Sequence, residues 1–163
     1  MFSQRNRELH KAIGQGDYAK VIQCLDVGPK RERKKVVDQV DNGGDTPLSA
    51  AAEHGRISIV AALLDRGAAI DKVNYWGKTA LLAACCTNSR DAVELLLVRG
   101  ADIEFRSRSS YYGHQTPLLA ASERGHVDVV RLLLDRGADI NRADSHSFTP
   151  LMRACEQEIT SRS

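Results

Sequence analysis

The sequence predicts an all-α fold of stacked helix pairs, and three observations predict it. The segment Thr46-Pro47-Leu48 recurs as Thr79-Ala80-Leu81, Thr116-Pro117-Leu118 and Thr149-Pro150-Leu151, at spacings of 33, 37 and 33 residues. Gly67, Gly100 and Gly137 each follow the corresponding Thr by 21 residues, inside the related strings LLDRGAAI, LLVRGADI and LLDRGADI. Self-similarity at a period of this length is the signature of a repeat solenoid. The third observation is composition. Of the 163 residues, 42% are hydrophobic and only 5% aromatic, so the core must be built from small and aliphatic side chains packed between helices.

Each unit can be justified element by element. Thr caps the orphan amides of a helix start, and Pro fits the first turn, where its missing N–H is not needed. A short helix therefore begins at each Thr-Pro. Leu48, Ala51 and Ala52, then Leu81 and Ala84, then Leu118 and Ala121 fall on one face of it. The small Ala side chains let neighbouring helices approach closely. Gly55 and Gly125 supply a left-handed stop, and Asn88 stands at the matching place as the next residue most able to adopt it. A second helix follows, as in HVDVVRLLLDRG, where Val127, Val130, Leu133 and Leu134 recur at helical spacing. Arg66, Arg99 and Arg136 sit at its negative end, just before the terminating Gly.

These residues resemble the ankyrin repeat, whose pattern of Asp, Gly, Thr-Pro-Leu, Ala-Ala, Gly, Leu-Leu and Gly-Ala-Asp is readable along nearly the whole chain. Leu9, Ala12, Gly16, Val21, Leu25 and Gly28 fit the same grid in a degenerate first unit with a polar outside, as expected of a terminal cap. The expected organisation is a single domain, 1–163. It comprises a degenerate unit at 1–40, full repeats at 41–73, 74–110 and 111–143, and a partial repeat at 144–163. Two connections depart from the pattern. The step from Gly28 to Thr46 carries six extra residues, read as a loop insertion containing KRERKK at 30–35. The step from Gly100 to Thr116 carries four extra, and Gly113 falls one place early, so the third loop should depart from the hairpin of the family. The last unit lacks a second helix, so either the native chain continues beyond Ser163 or this end frays.

Charge and composition narrow the function. With 23 basic and 21 acidic side chains the formal charge is +2, too small to draw the whole molecule to nucleic acid or an anionic membrane. The first residues lack the apolar core of a signal peptide, and the apolar stretch at 57–64 is far short of a membrane span. Cys24, Cys85, Cys86 and Cys155 form neither a CxxC pair nor a disulfide framework, which fits a reducing compartment, cytoplasmic or nuclear. Cys85 takes the place of Ala52 and Ser122, a helix-core position where Cys acts as a small hydrophobe. The five histidines fall in different units without metal-ligand spacing, so neither catalysis, nor a metal, nor a cofactor is expected.

The resemblance implies that a partner binds the concave side, made by the inter-repeat loops and the outward residues of the first helices. Mapped onto this chain, that side includes Asp45, Glu53, His54, Tyr75, Trp76, Lys78, Cys86, Thr87, Arg106, Tyr112, Gln115, Glu123, Arg124, Ser145, His146 and Phe148. The expected partner-binding set is Tyr75, Trp76, Lys78, Arg106, Arg108, Tyr111, Tyr112, Arg124, His146 and Phe148. Trp, Tyr and Arg are the side chains that most often anchor interfaces. The reading is a non-enzymatic, monomeric protein-binding module, with an acidic partner favoured by the Lys and Arg of the two lengthened loops. The alternatives are an RNA or oligonucleotide sensor, which the same aromatic and basic mixture would suit, or the front part of a longer array. KRERKK reads either as a solvated loop or as an anion-facing arm or nuclear-import patch.

Overall fold

The computed structural model describes residues 4–107 and 114–161. Among them every regular element is a helix: α1 (Gln4–Gln15), α2 (Tyr18–Asp26), α3 (Lys30–Val37), α4 (Pro47–Glu53), α5 (Ile57–Asp65), α6 (Ala80–Cys86), α7 (Arg90–Val98), α8 (Pro117–Glu123), α9 (Val127–Asp135) and α10 (Pro150–Ser161). First helices α1, α4, α6, α8 and α10 stack into one layer, and second helices α2, α5, α7 and α9 into another. The molecule is an all-α repeat solenoid. Among the described residues no helix is long and apolar enough to cross a membrane.

The punctuation works as the sequence predicts. The hydroxyls of Thr46, Thr79 and Thr116 accept from the amides three residues on, and Thr46 and Ser49 cap each other reciprocally. Left-handed backbone follows α4, α6 and α8, at Gly55 (φ 61°), Asn88 (φ 58°) and Gly125 (φ 67°). Leu48, Ala51, Leu81, Ala84, Leu118 and Ala121 are all buried, and Cys85 is wholly enclosed. Burial pushes the Cys85 thiol well above its ordinary pKa, the opposite of an activated nucleophile.

Two expectations need correction. The stripe of α9 buried in the core is Val129, Leu132 and Leu133, whereas Val127 is 65% exposed. At about 100° per residue, Val127 lies roughly 200° round the helix from Val129 and cannot share its face. The run KRERKK is not a loop: it forms most of α3. Val36 and Val37 at the end of this helix are buried in the core, which holds the charged turns ordered against α2. Glu32 in its first turn and Lys34 and Lys35 in its last complement the helix dipole. This packing places the basic run against the second-helix layer, so it does not add charge to the hairpins.

Candidate binding surface

Four hairpins project between the units, each closed by one backbone bond at its base. Asp41 donates to the carbonyl of Asp45 (2.9 Å), Asn74 to Lys78 (2.9 Å), Ser107 to Gln115 (3.0 Å) and Asp144 to Phe148 (3.0 Å). The bonded residues are four positions apart in three hairpins and eight apart in the third. The third loop therefore keeps the closing bond of the hairpin base, and 108–113 lie outside the described residues. Left-handed backbone recurs two residues before each capping Thr, at Gly44 (φ 88°), Gly77 (φ 72°), His114 (φ 58°) and Ser147 (φ 66°). His114 thus takes the place that Gly113 misses. Its Nδ1 lies 3.0 Å from the carbonyl oxygen of Ser107, across the same hairpin base.

Among the described residues the second hairpin carries the most exposed aromatic pair, with Tyr75 at 72% and Trp76 at 54% exposure. Both are fixed in spite of that exposure. The Asn74 carboxamide oxygen accepts from the amides of Trp76 (3.0 Å) and Lys78 (2.9 Å), and its Nδ2 donates to Asp45 Oδ1 (2.7 Å). The amide of Tyr75 donates to the Gly44 carbonyl (2.9 Å), and the Trp76 indole Nε1 donates to the Gly43 carbonyl (3.2 Å). Tyr75 lies so close over Gly44 that a Cβ there would fall 2.5 Å from the Tyr75 Cβ. Beside Trp76 a recess of about 200 Å³ is lined by Asp45, Glu53, Asn74, Lys78, Ala83 and Cys86. Burial raises the Cys86 thiol, so it contributes a soft neutral wall.

The structure places the other sequence-predicted residues less uniformly. Arg106 is exposed and donates from Nη2 to the Ala143 carbonyl (2.8 Å), bridging the third and fourth hairpins. Arg124 is half-buried at the end of α8, 3.7 Å from Glu123 and bonded to the Ala120 carbonyl. His146 is exposed at the fourth tip, whereas Phe148 is half-buried with the Arg153 guanidinium 4.4 Å above its ring. Gln115 is buried and donates to Glu123. Arg108, Tyr111 and Tyr112 lie outside the described residues.

Three side chains that sequence reasoning passes over organise this surface: Asn74, Asp144 and Arg153. Asp144 accepts from the amides of His146 (2.8 Å) and Phe148 (3.0 Å), repeating the role of Asn74, and pairs with Arg153. An Asp or Asn five residues before Thr46, Thr79 and Thr149 was the available signal.

The sequence profile described as ankyrin repeats (3 copies) matches residues 9–107 and 104–161. The chain belongs to the ankyrin-repeat family. Comparison with curated proteins returns no match. Ankyrin repeats are generally protein-interaction modules, and the family is generally non-enzymatic. In this ankyrin domain the recess beside Trp76 brings Trp76 and Ala83 together with Asp45, Glu53 and Lys78, so apolar area and both signs of charge meet there.

Proposed function

We propose that this ankyrin domain is a monomeric, non-enzymatic module that holds a segment or face of a protein partner against its hairpins and first helices. Trp76 and Tyr75 are the anchors, and Lys78, Arg106, Arg124, His146 and Phe148 supply the surrounding contacts. Arg108, Tyr111 and Tyr112 join the same surface on sequence grounds. The observation that carries this reading is the fixed yet exposed Trp76, tied through its backbone amide to Asn74 and through its indole N–H to Gly43. A large ring already held in position loses little freedom on binding, so its buried area is converted into affinity with a small ordering penalty. The recess beside it offers Asp45 and Glu53 opposite Lys78, so a partner is selected by its charge pattern as well as by its apolar anchor.

The test is capture from cell lysate, with and without nuclease, by wild type and by Trp76→Ala. The captured protein is then titrated against both. The expected result is nuclease-resistant capture, with affinity reduced by about 2 kcal/mol in Trp76→Ala through faster dissociation, while circular dichroism and melting stay unchanged. Capture lost on nuclease treatment would replace the protein partner with nucleic acid. Equal affinity of wild type, Trp76→Ala and Arg106→Ala would move the interface off the hairpins.

A further inference from the structure

The binding reading above leaves α3 without a role, and its surroundings are unusual for this chain. Lys30–Val37 begins with five basic residues and one acidic residue in six positions. Arg31, Lys34 and Lys35 are exposed and stand at i, i+3 and i+4, where like charges repel. Among the described residues none of the three has an ion-pair or hydrogen-bond partner. Elsewhere the cations at the unit ends are matched: Arg66 pairs with Asp26, Arg99 with Asp65 and Arg136 with Glu94. The mutual repulsion of these three cations opposes what Lys34 and Lys35 gain from the helix dipole.

That helix also closes one side of a recess of about 470 Å³, a volume in the range of ligand sites, lined by Leu25, Asp26, Arg33, Lys34, Val37, Arg66 and Gly67. Leu25 and Val37 seal the floor, each 1% exposed. Arg33, Lys34 and Arg66 also line it, and side chains of this kind carry a long aliphatic stem below the charged head. At Gly67 nothing lies within 4 Å of where a Cβ would stand, so that side stays open. Arg33 Nε donates to the Gly28 carbonyl (2.7 Å), which holds this guanidinium at the rim.

We infer that this recess, between α2, α3 and α5, is a second binding site, for an acidic peptide segment carrying one apolar side chain. The apolar side chain lies between the stems, and flanking carboxylates pair with Lys34, Arg33 and Arg31. A peptide fits better than the other polyanions. Among the described residues the lining holds no aromatic side chain, and Tyr18 near Arg66 is a single ring, so a stacking platform for successive bases of single-stranded nucleic acid is lacking. A membrane surface would need apolar residues beside the cations, and Val36 and Val37 are turned into the core. The site shares no lining residue with the recess beside Trp76.

The probe is a fluorescein-labelled peptide, Asp-Glu-Asp-Leu-Glu-Asp-Glu, titrated to millimolar concentration and followed by anisotropy and by amide NMR shifts. The expected result is saturable binding with shifts clustered at Asp26, Arg66, Gly67 and along α3. Affinity should fall about tenfold in the Arg31→Gln, Lys34→Gln, Lys35→Gln triple variant and likewise when the peptide Leu is replaced by Ser, and should fall with added salt. Trp76→Ala should bind as wild type does, which separates this site from the recess beside Trp76. The surface Gln changes leave Val36 and Val37 in place, and an unchanged helical spectrum verifies folding. Absence of saturable binding, equal binding by the triple variant, or equal binding of the Ser peptide would overturn the inference. Competition by a short uridine oligonucleotide or by phosphatidylserine vesicles at matched charge would equally overturn it in favour of that polyanion.

Discussion

At Ser147 the backbone holds φ at 66°, in the left-handed region that the corresponding Gly44 and Gly77 occupy without a side chain. A Cβ in that region costs about 1–2 kcal/mol, which glycine avoids at the expense of some unfolded-state entropy. Ser147→Gly should therefore raise stability by about 1 kcal/mol in urea denaturation. The reverse change, Gly44→Ala, should lower it by about 2 kcal/mol or more, because the new methyl also meets Tyr75. An unstable Ser147→Gly protein would mean that the serine side chain offsets its own strain. His114 is a poorer test, since its ring contact with the Ser107 carbonyl would be lost along with the strain.

Between elements, the arginines that close α5, α7 and α9 act across units as well as on their own helix ends. Arg66 reaches Asp26 at 3.0 Å, Arg99 reaches Asp65 at 2.9 Å, and Arg136 reaches Glu94 at 2.9 Å. These pairs are open to solvent, so each contributes below about 1 kcal/mol. The tie between the fourth hairpin and α10 is better enclosed, with the Asp144 side chain only 4% exposed. Burial alone would raise the Asp144 pKa, but the hydrogen bond from Arg153 and the amides of Phe148 and His146 outweigh it and hold the carboxyl below its usual 3.8. A depressed folded-state pKa gives stability that is fully present above the unfolded value and lost as pH falls through the folded one. The native protein should therefore lose stability at the last unit below about pH 4. In Asp144→Asn the amide bonds can persist as they do at Asn74, but the ion pair cannot. That variant should be less stable at pH 7 and should show a smaller drop on acidification, read as melting temperature against pH. An identical acid profile in both proteins would assign the drop to other carboxylates.

Across the whole molecule, the main contacts among the described elements join neighbouring units, so the energetic weight of a residue depends on its position along the stack. Leu96 in α7 is completely buried, whereas Leu151 in α10 is 69% exposed. Leu96→Ala should cost about 2–5 kcal/mol and reduce cooperativity, because it opens a cavity in a unit with neighbours on both sides. Leu151→Ala should stay within about 0.5 kcal/mol of wild type. Chemical denaturation followed by circular dichroism checks both, and equal losses would contradict a stack in which the central unit couples the ends.

The sequence by itself determined the helix pairs, their caps and their stops, because Thr, Pro, Gly and Asn act through backbone geometry within a few residues of themselves. Asn88 at φ 58° is legible for that reason. Trp76 and Tyr75 are legible as exposed aromatics because hairpin tips have few ways to bury a ring. Only the tertiary structure decided that KRERKK is helical, since the buried pair Val36 and Val37 that holds it acts through packing on α2. Packing likewise chose Val129 over Val127 as the buried residue of α9, because a helix rich in valine and leucine fits more than one rotation until a neighbour is present. The third hairpin kept its base despite the misplaced Gly113 because His114 could take the left-handed turn, held by a contact to Ser107 seven residues away. Those choices depend on partners distant along the chain, and a local reading of residue types has no access to them.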